Sequence, residues 1–215
     1  MILKKGDKKY RIKEIFYSIQ GEGFHTGKPA IFVRFSGCNL WSGLEKDRTN
    51  AICKFCDTDF RGVDGDNGGV YDAEELLDKI KGIKAASKCK FIVLTGGEPL
   101  LQLDEDLVRG FHQNNYFLAL ETNGTVPVVK GMDWVTVSPK AGSKFIQKSG
   151  DELKVVYPQN NLDLPYFEKL DFNHFYLQPK EENTANDNVK KTLNYCLDNP
   201  VWKLSLQIHK VLDIQ

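Results

Sequence analysis

Apolar residues in this chain arrive in short bursts. Residues 31–35, 91–94, 117–120, 134–137, 153–156, 175–177 and 204–208 are runs of three to five positions rich in β-branched, aromatic and aliphatic side chains, flanked by polar or turn-forming residues. Runs of this length predict strands, most of them buried on both faces. A further run at 11–16 stands apart and predicts a separate N-terminal strand element. Between the strands the period changes. Asp72-Ala73-Glu74-Glu75 offers a helix N-cap followed by an acidic first turn, and Leu76, Leu77, Ile80 and Ile83 then share one face. Residues 104–113 and 186–197 show the same helical spacing, with Leu107, Phe111, Val189, Leu193 and Leu197 as the inward positions. Strands alternating with helices in this way predict an α/β fold whose strands are parallel and joined by crossover connections.

Composition narrows the function. With 215 residues, 41% hydrophobic and 27% charged, one globular domain accounts for residues 1–215. The 29 basic and 29 acidic side chains cancel, so no overall field favours nucleic acid, and a small-molecule substrate is the expected partner. The N-terminal segment is basic without an apolar leader core, and no stretch has transmembrane length, which predicts a cytoplasmic protein with no membrane partner. Lys4, Lys5, Lys8, Lys9, Arg11 and Lys13 read as a solvated face of the first strands. Five cysteines, three of them grouped, suit a reducing compartment and metal binding better than a disulfide framework.

Polar chemistry collects where the strands end. Run 31–35 leads into Ser36-Gly37-Cys38, 91–94 into Thr95-Gly96-Gly97-Glu98, 117–120 into Glu121-Thr122-Asn123-Gly124, 134–137 into Ser138-Pro139-Lys140, and 175–177 into Gln178-Pro179-Lys180-Glu181. In a barrel-like α/β fold all five clusters face one opening. Cys38, Cys53 and Cys56, spaced Cys-x14-Cys-x2-Cys, can wrap one centre. A zinc knuckle completed by His25 uses four ligands, whereas three thiolates suit a cubane iron–sulfur cluster with one iron left open. Cys89 and Cys196 lack such neighbours and read as small buried side chains. The segment Gly21-Glu22-Gly23-Phe24-His25-Thr26-Gly27 approaches a dinucleotide fingerprint, but its third glycine comes one position late and no strand-turn-helix context follows.

Several of these motifs have a common likeness. Gln20-Gly21-Glu22-Gly23, the stretch from Gly27 through Pro29-Ala30-Ile31-Phe32-Val33-Arg34-Phe35 to Gly37-Cys38-Asn39-Leu40, and Cys56-Asp57-Thr58-Asp59 make one group. Thr95-Gly96-Gly97-Glu98-Pro99, Glu121-Thr122-Asn123-Gly124, Ser138-Pro139-Lys140, Gln178-Pro179 and the terminal Gln207-Ile208-His209-Lys210 extend it. Together they resemble the radical S-adenosylmethionine superfamily and, within it, the 7-carboxy-7-deazaguanine synthase family, nearly end to end. The usual superfamily spacing is Cys-x3-Cys-x2-Cys, so residues 39–52 are an insertion in the cluster loop, of a kind that the resembled family includes.

The resemblance implies a partial (β/α) barrel of the radical S-adenosylmethionine type with an N-terminal strand element. It implies that Cys38, Cys53 and Cys56 hold a 4Fe-4S cluster whose open iron is chelated by S-adenosylmethionine. Phe55, Cys56, Asp57, Gly97, Ser138, Pro139, Lys140, Gln178, Pro179, Lys180 and Glu181 would line the cofactor's site. The implied reaction is a lyase step of queuosine-type 7-deazapurine biosynthesis, converting 6-carboxy-5,6,7,8-tetrahydropterin to 7-carboxy-7-deazaguanine and ammonia. Ile19, Gln20, Gly21, Arg34 and Thr95 are the implied substrate contacts, Arg34 being suited to pair with a carboxylate. Glu22 and Glu121 are hydrogen-bond or proton-transfer candidates. Mg2+ with Thr58 as a ligand, an electron donor such as flavodoxin or ferredoxin, and a homodimer complete the expectation. A last strand at 204–208 would run toward the catalytic face with only seven residues after Ile208, too few for another helix and return, which makes the terminal carboxylate of Gln215 a substrate ligand. A glycyl-radical-activating enzyme and a non-catalytic zinc-binding interaction protein are the competing classes.

Overall fold

The strands curve around a common lumen. The structure, a computed structural model, describes residues 8–181 and 185–215, so Lys4 and Lys5 of the basic run lie outside the described residues. Among the described residues nine strands are present: β1 (Tyr10–Ile19), β2 (Pro29–Phe35), β3 (Gly69–Tyr71), β4 (Phe91–Gly96), β5 (Phe117–Thr122), β6 (Trp134–Val137), β7 (Ser149–Tyr157), β8 (Asp171–Pro179) and β9 (Trp202–Leu204). They form one sheet in the order β3-β1-β2-β4-β5-β6-β7-β8-β9. Neighbours from β2 to β9 are parallel, while β1 joins both β2 and β3 antiparallel. The edge strands β3 and β9 do not meet, so the barrel is partial.

Side-chain alternation separates two environments. Ile31, Val33, Phe35, Ile92, Leu94, Leu118 and Leu120 point outward into one core with Leu76, Leu77 and Ile80 of α1 (Ala73–Lys81) and Leu107 and Phe111 of α2 (Glu105–Gln113). Val137, Leu153, Val155, Leu177 and Trp202 form a second outer core with Leu164 and Phe167 of α3 (Leu164–Phe167). The inward positions Ala30, Val93 and Ala119 make a small apolar layer with Phe91. Small residues suit this layer because inward side chains of a curved sheet converge.

The predicted helix starts are built as their residues suggest. Asp72 and Glu75 form a reciprocal capping box, with Glu75 N donating to Asp72 Oδ1 at 2.9 Å and Asp72 N donating to Glu75 Oε2 at 2.8 Å. Asp104 caps α2 through a 3.0 Å bond from Leu107 N.

Four expectations are corrected. Helix α1 ends at Lys81, and Ile83 packs on the same core from the turn beyond it. Helix α4 (Ala185–Asp198) buries Asn188 and Thr192 and leaves Val189, Leu193 and Leu197 exposed at 37%, 41% and 69%. The reason is polar: Asn188 Nδ2 donates to Lys180 O at 2.9 Å, fastening the helix to the end of β8. The last strand stops at Leu204, and a short helix, α5 (Ile208–Val211), occupies the place of the expected extended tail. Lys13 is no solvated side chain, being 10% exposed and paired with Asp59 and Asp64, each at 2.9 Å.

Candidate active site

A cavity of about 410 Å3 opens at the C-terminal ends of the parallel strands. That volume suits a small-molecule site. The three thiols of Cys38, Cys53 and Cys56 line it with Thr58, and so do Phe55, Asp57, Gly97, Ser138, Lys140, Gln178, Pro179 and Glu181 of the predicted cofactor set. Ile19, Gln20, Gly21, Arg34, Thr95 and Gln215 of the predicted substrate set share the wall with Glu22 and Glu121. Pro139 and Lys180 belong to the same turns but do not line the cavity. Pro139 is buried, and Lys180 N donates to Tyr157 O at 2.7 Å.

His25 lies at the other end of the barrel. Its ring packs against Phe91 at 4.9 Å and Trp134 at 4.5 Å, the first residues of β4 and β6. A six-residue strand spans on the order of 20 Å, so His25 is not a fourth ligand for the thiols. Among the described residues no group of three His, Cys, Asp or Glu side chains is set for a single metal ion. The thiols themselves are electrostatically coupled: Cys53 donates to Cys56, holding the Cys56 pKa down at about 6 and raising that of Cys53. Burial pushes Cys38 up. A thiol hydrogen-bonded to its neighbour, with a third on the same cavity wall, fits a thiolate-bound centre, since cluster binding removes thiol protons.

Glycines form the opposite side. A Cβ at Gly97 would collide with Gly37 O and come within 2.7 Å of the Cys38 Cβ, and Gly96 has φ +141° with no room beside Phe35. The turn after β4 is therefore bare backbone pressed against the first cysteine. Glu98 locks it. Its fully buried carboxylate accepts from Leu100 N at 3.1 Å, Thr122 Oγ1 at 2.9 Å and Asn123 N at 2.8 Å, joining the loop after β4 to the loop after β5. Asn123 Nδ2 then donates to Asn39 Oδ1 at 3.0 Å, reaching the cysteine loop.

Lys154 organises the lumen. Its ammonium, on a side chain only 6% exposed, lies 2.5 Å from Glu22 Oε2 and 3.6 Å from Glu121 Oε1. Glu22 Oε1 also accepts from Gln178 Nε2 at 3.1 Å and Gln207 Nε2 at 2.7 Å, while Gln20 Nε2 donates to Glu121 at 3.0 Å. Burial opposes ionisation of Glu22, but Lys154 outweighs it and holds the carboxyl at about 2. One step deeper, Glu152 is 2% exposed, accepts from Phe24 N at 3.1 Å through Oε2, and has no partner for Oε1. Burial raises it to about 7 against the pull of Lys154. Sequence reasoning missed Lys154 and Glu152, although charges at alternate positions of an apolar run, Glu152-Leu153-Lys154, are a visible sign of an inward polar face.

Two further links close the mouth. Arg34 Nε donates to Glu14 Oε1 at 2.7 Å, and Gln215 Nε2 donates to Glu14 Oε2 at 3.2 Å, so Glu14 ties the terminal residue to β2. Lys210 bridges Asp57, at 2.6 Å, and Glu181. His209 stands where any Cβ on Gly21 would overlap it.

The sequence model of the Radical SAM superfamily matches residues 47–154. The chain is 50% identical over 207 residues to the 7-carboxy-7-deazaguanine synthase of Burkholderia multivorans, covering 95% of this chain and 99% of that protein. It is 49% identical over 208 residues to the enzyme of the same name from Bradyrhizobium diazoefficiens, covering 96% and 99%. The crystal structure of QueE from Escherichia coli superposes with a TM-score of 0.67 at 26% identity, covering 93% of this chain and 94% of that one. Among the described residues no helix is long and apolar enough to cross a membrane.

The two buried carboxyls give opposite pH dependences. Glu22 is held below its unfolded value, so its stabilisation is present above pH 4.5 and lost as pH falls toward about 2. Glu152 is held above its unfolded value, so folding is penalised progressively as pH rises from 4.5 through about 7. Glu152→Gln keeps an acceptor for Phe24 N and removes the ionisation. Denaturant unfolding should show this variant gaining about 2–3 kcal/mol on wild type between pH 5 and pH 8. A difference that stays constant across that range would contradict the assignment.

Proposed function

Because the chain belongs to the 7-carboxy-7-deazaguanine synthase family of the Radical SAM superfamily, we infer that it is a radical S-adenosylmethionine lyase of 7-deazapurine biosynthesis that converts 6-carboxy-5,6,7,8-tetrahydropterin to 7-carboxy-7-deazaguanine and ammonia. The observation that carries the reading is one cavity holding three thiols, a side-chain-free glycine turn and a buried, charged hydrogen-bonding wall. Cys38, Cys53 and Cys56 would hold a 4Fe-4S cluster. When bound, the cluster and S-adenosylmethionine supply the radical chemistry that breaks a substrate C–H bond.

The chain's own residues bind, orient and exclude water. Gly97 leaves backbone beside the first thiol, where a polar cofactor can approach closely. Ser138 and Lys140 are pre-set toward the cofactor: the Lys140 amine donates to Ser138 O and Oγ, each at 2.7 Å, and burial pushes its pKa down. Gln20, Glu121 and Glu22 present a fixed row of donors and acceptors, suited to the ring edge of a pterin. Arg34 offers the cationic partner for its carboxylate. Lys154, kept charged because Glu121 and Glu22 raise its pKa, holds its proton and offsets negative charge along that row. Thr58, beside the thiols, is the proposed protein ligand of a Mg2+ that shares its sphere with substrate oxygens and water.

The reductant would be a small electron-transfer protein of the flavodoxin or ferredoxin kind. A homodimer would cover the exposed Val189, Leu193 and Leu197 stripe on α4.

Anaerobic incubation of reconstituted protein with dithionite, S-adenosylmethionine and the carboxytetrahydropterin should yield a product with the mass of 7-carboxy-7-deazaguanine. Cys38→Ala, Cys53→Ala or Cys56→Ala should abolish both cluster and product. Stoichiometric zinc with no iron or sulfide after reconstitution would overturn the reading. Exhaustive chelation of divalent cations should lower turnover, with recovery on adding Mg2+, and unchanged turnover would remove Thr58 from the metal sphere.

A second test addresses Gln215. It lines the cavity and its side-chain amide donates to Glu14, the partner of Arg34, which makes it a proposed substrate contact. Gln215→Ala should raise KM by about tenfold, the loss expected for one hydrogen bond. A variant with wild-type KM and kcat would show that Gln215 plays no part in binding.

A further inference from the structure

The fourteen residues between Cys38 and Cys53 have a defined conformation with an unusual centre. Leu40 and Trp41 are buried and line the cavity beside the thiols. The Trp41 indole donates from Nε1 to Leu44 O at 3.1 Å and stands edge-on to the buried Phe60 ring at 5.7 Å, so its orientation is set from two sides. Arg48 sits in the helical turn Glu45–Asn50 and lays its guanidinium 4.0 Å from the Trp41 ring centroid. Its Nε donates to both carboxylate oxygens of Glu45 at 2.8 Å. Its Nη1 donates to the carbonyls of Lys54 at 2.9 Å and Cys56 at 3.0 Å. Those two carbonyls belong to the turn that carries the second and third thiols, one following Cys53 and the other on Cys56 itself.

We propose that Arg48 is a positioning residue for the cluster, pinning the Cys53 to Cys56 turn and holding Trp41 over the site, so that residues 39–52 govern oxygen access and reduction potential. This rests on the three-thiol reading above. The residue type matters. A guanidinium is planar, weakly hydrated and forked, so it can stack on an indole while bonding to two carbonyls at once, which an ammonium cannot do in one geometry. Donors that fix the backbone of ligating residues tune a metal centre through ligand orientation and hydrogen bonding. A fixed cation next to a centre that gains negative charge on reduction favours the reduced state. Glu45 offsets part of that charge, but its side chain is 77% exposed and solvent screens it, whereas Arg48 is 29% exposed. The base of the segment is fastened independently, with Ile52 N and Cys53 N both donating to Leu40 O at 3.0 and 3.3 Å. Loss of Arg48 should therefore loosen the cover without unfolding the loop.

The test compares reconstituted wild type with Arg48→Ala and Arg48→Lys, matched for iron and sulfide content and for apoprotein melting temperature. Arg48→Ala should bleach in air on the order of tenfold faster and show a more negative midpoint potential with an altered reduced-cluster EPR signal. Arg48→Lys should keep the potential near wild type, because the charge remains, yet bleach faster, because an ammonium bonded to the carbonyls cannot also stack flat on Trp41. Bleaching and potential identical to wild type in Arg48→Ala would overturn the proposal. Should Arg48→Ala fail to take up a cluster, Arg48→Lys decides, and wild-type bleaching there overturns it equally. A wild-type protein that binds no cluster would instead overturn the three-thiol reading on which the proposal stands.

Discussion

A buried ammonium holds an open sheet together around its site. The edge strands β3 and β9 do not pair, so hydrogen bonds of the sheet itself leave a seam. Lys154, projecting inward from β7, draws Glu22 from the connection between β1 and β2 across that seam, and Glu22 in turn receives Gln207 from the C-terminal segment. Backbone bonds reinforce the closure: Gly23 N donates to Ser205 Oγ at 2.9 Å and Ile208 N to Gly21 O at 3.0 Å. Breaking a buried ion pair by removing one partner costs about 3–5 kcal/mol, because the other charge is left in a poor solvent. The same pair that costs so much to break presents ordered polar groups to the cavity, so closure of the fold and organisation of the site share one interaction.

Below that level, beside Glu152, apolar side chains fill the lumen. Ala30, Val93, Ala119 and Phe91 occupy the inner layer, and at the far end Phe24 stacks on both Trp134 at 4.7 Å and His174 at 4.5 Å. Around the mouth, Glu98 joins the loops after β4 and β5, Asn123 continues to Asn39, and Lys210 joins the loop after Cys56 to the loop after β8. Each loop is polar for the ordinary reason that loops face solvent. Here the polar groups bond to one another, which converts separate loops into a rigid rim able to place a cofactor against a substrate.

Much of this was legible in local pattern. The capping box of Asp72 and Glu75, the apolar faces of α1 and α2, and the seven apolar runs depend on neighbours within a few residues, and their physics is local. The misreadings have one cause. Val189, Leu193 and Leu197 make as good an apolar stripe as any, but Asn188 and Thr192 win the inner face because Asn188 satisfies a carbonyl at the end of β8, 8 residues distant. Lys13 resembles any surface lysine until Asp59 and Asp64 arrive from a loop some fifty residues on. His25 lies 13 positions before Cys38 in the chain yet at the other end of the barrel, because β2 runs the full height between them. The three-residue β3 is too short to carry any periodicity.

By itself the sequence determined the alternation of strand and helix, the three thiols, the glycine turn after β4 and the polar residues that follow each strand, since these are properties of residue type and short spacing. It also carried the family likeness through which roles could be assigned. Only the tertiary structure decided which of those polar residues bond to each other, that Lys154 and Glu152 face inward among carboxylates, that Glu98 is a buried fastening, and that Arg48 stacks on a Trp41 ring beside the thiols. Such facts depend on which segments lie opposite one another across the lumen. Burial then sets the strength of each charge interaction and the pKa of each group, and no window of local sequence contains that information.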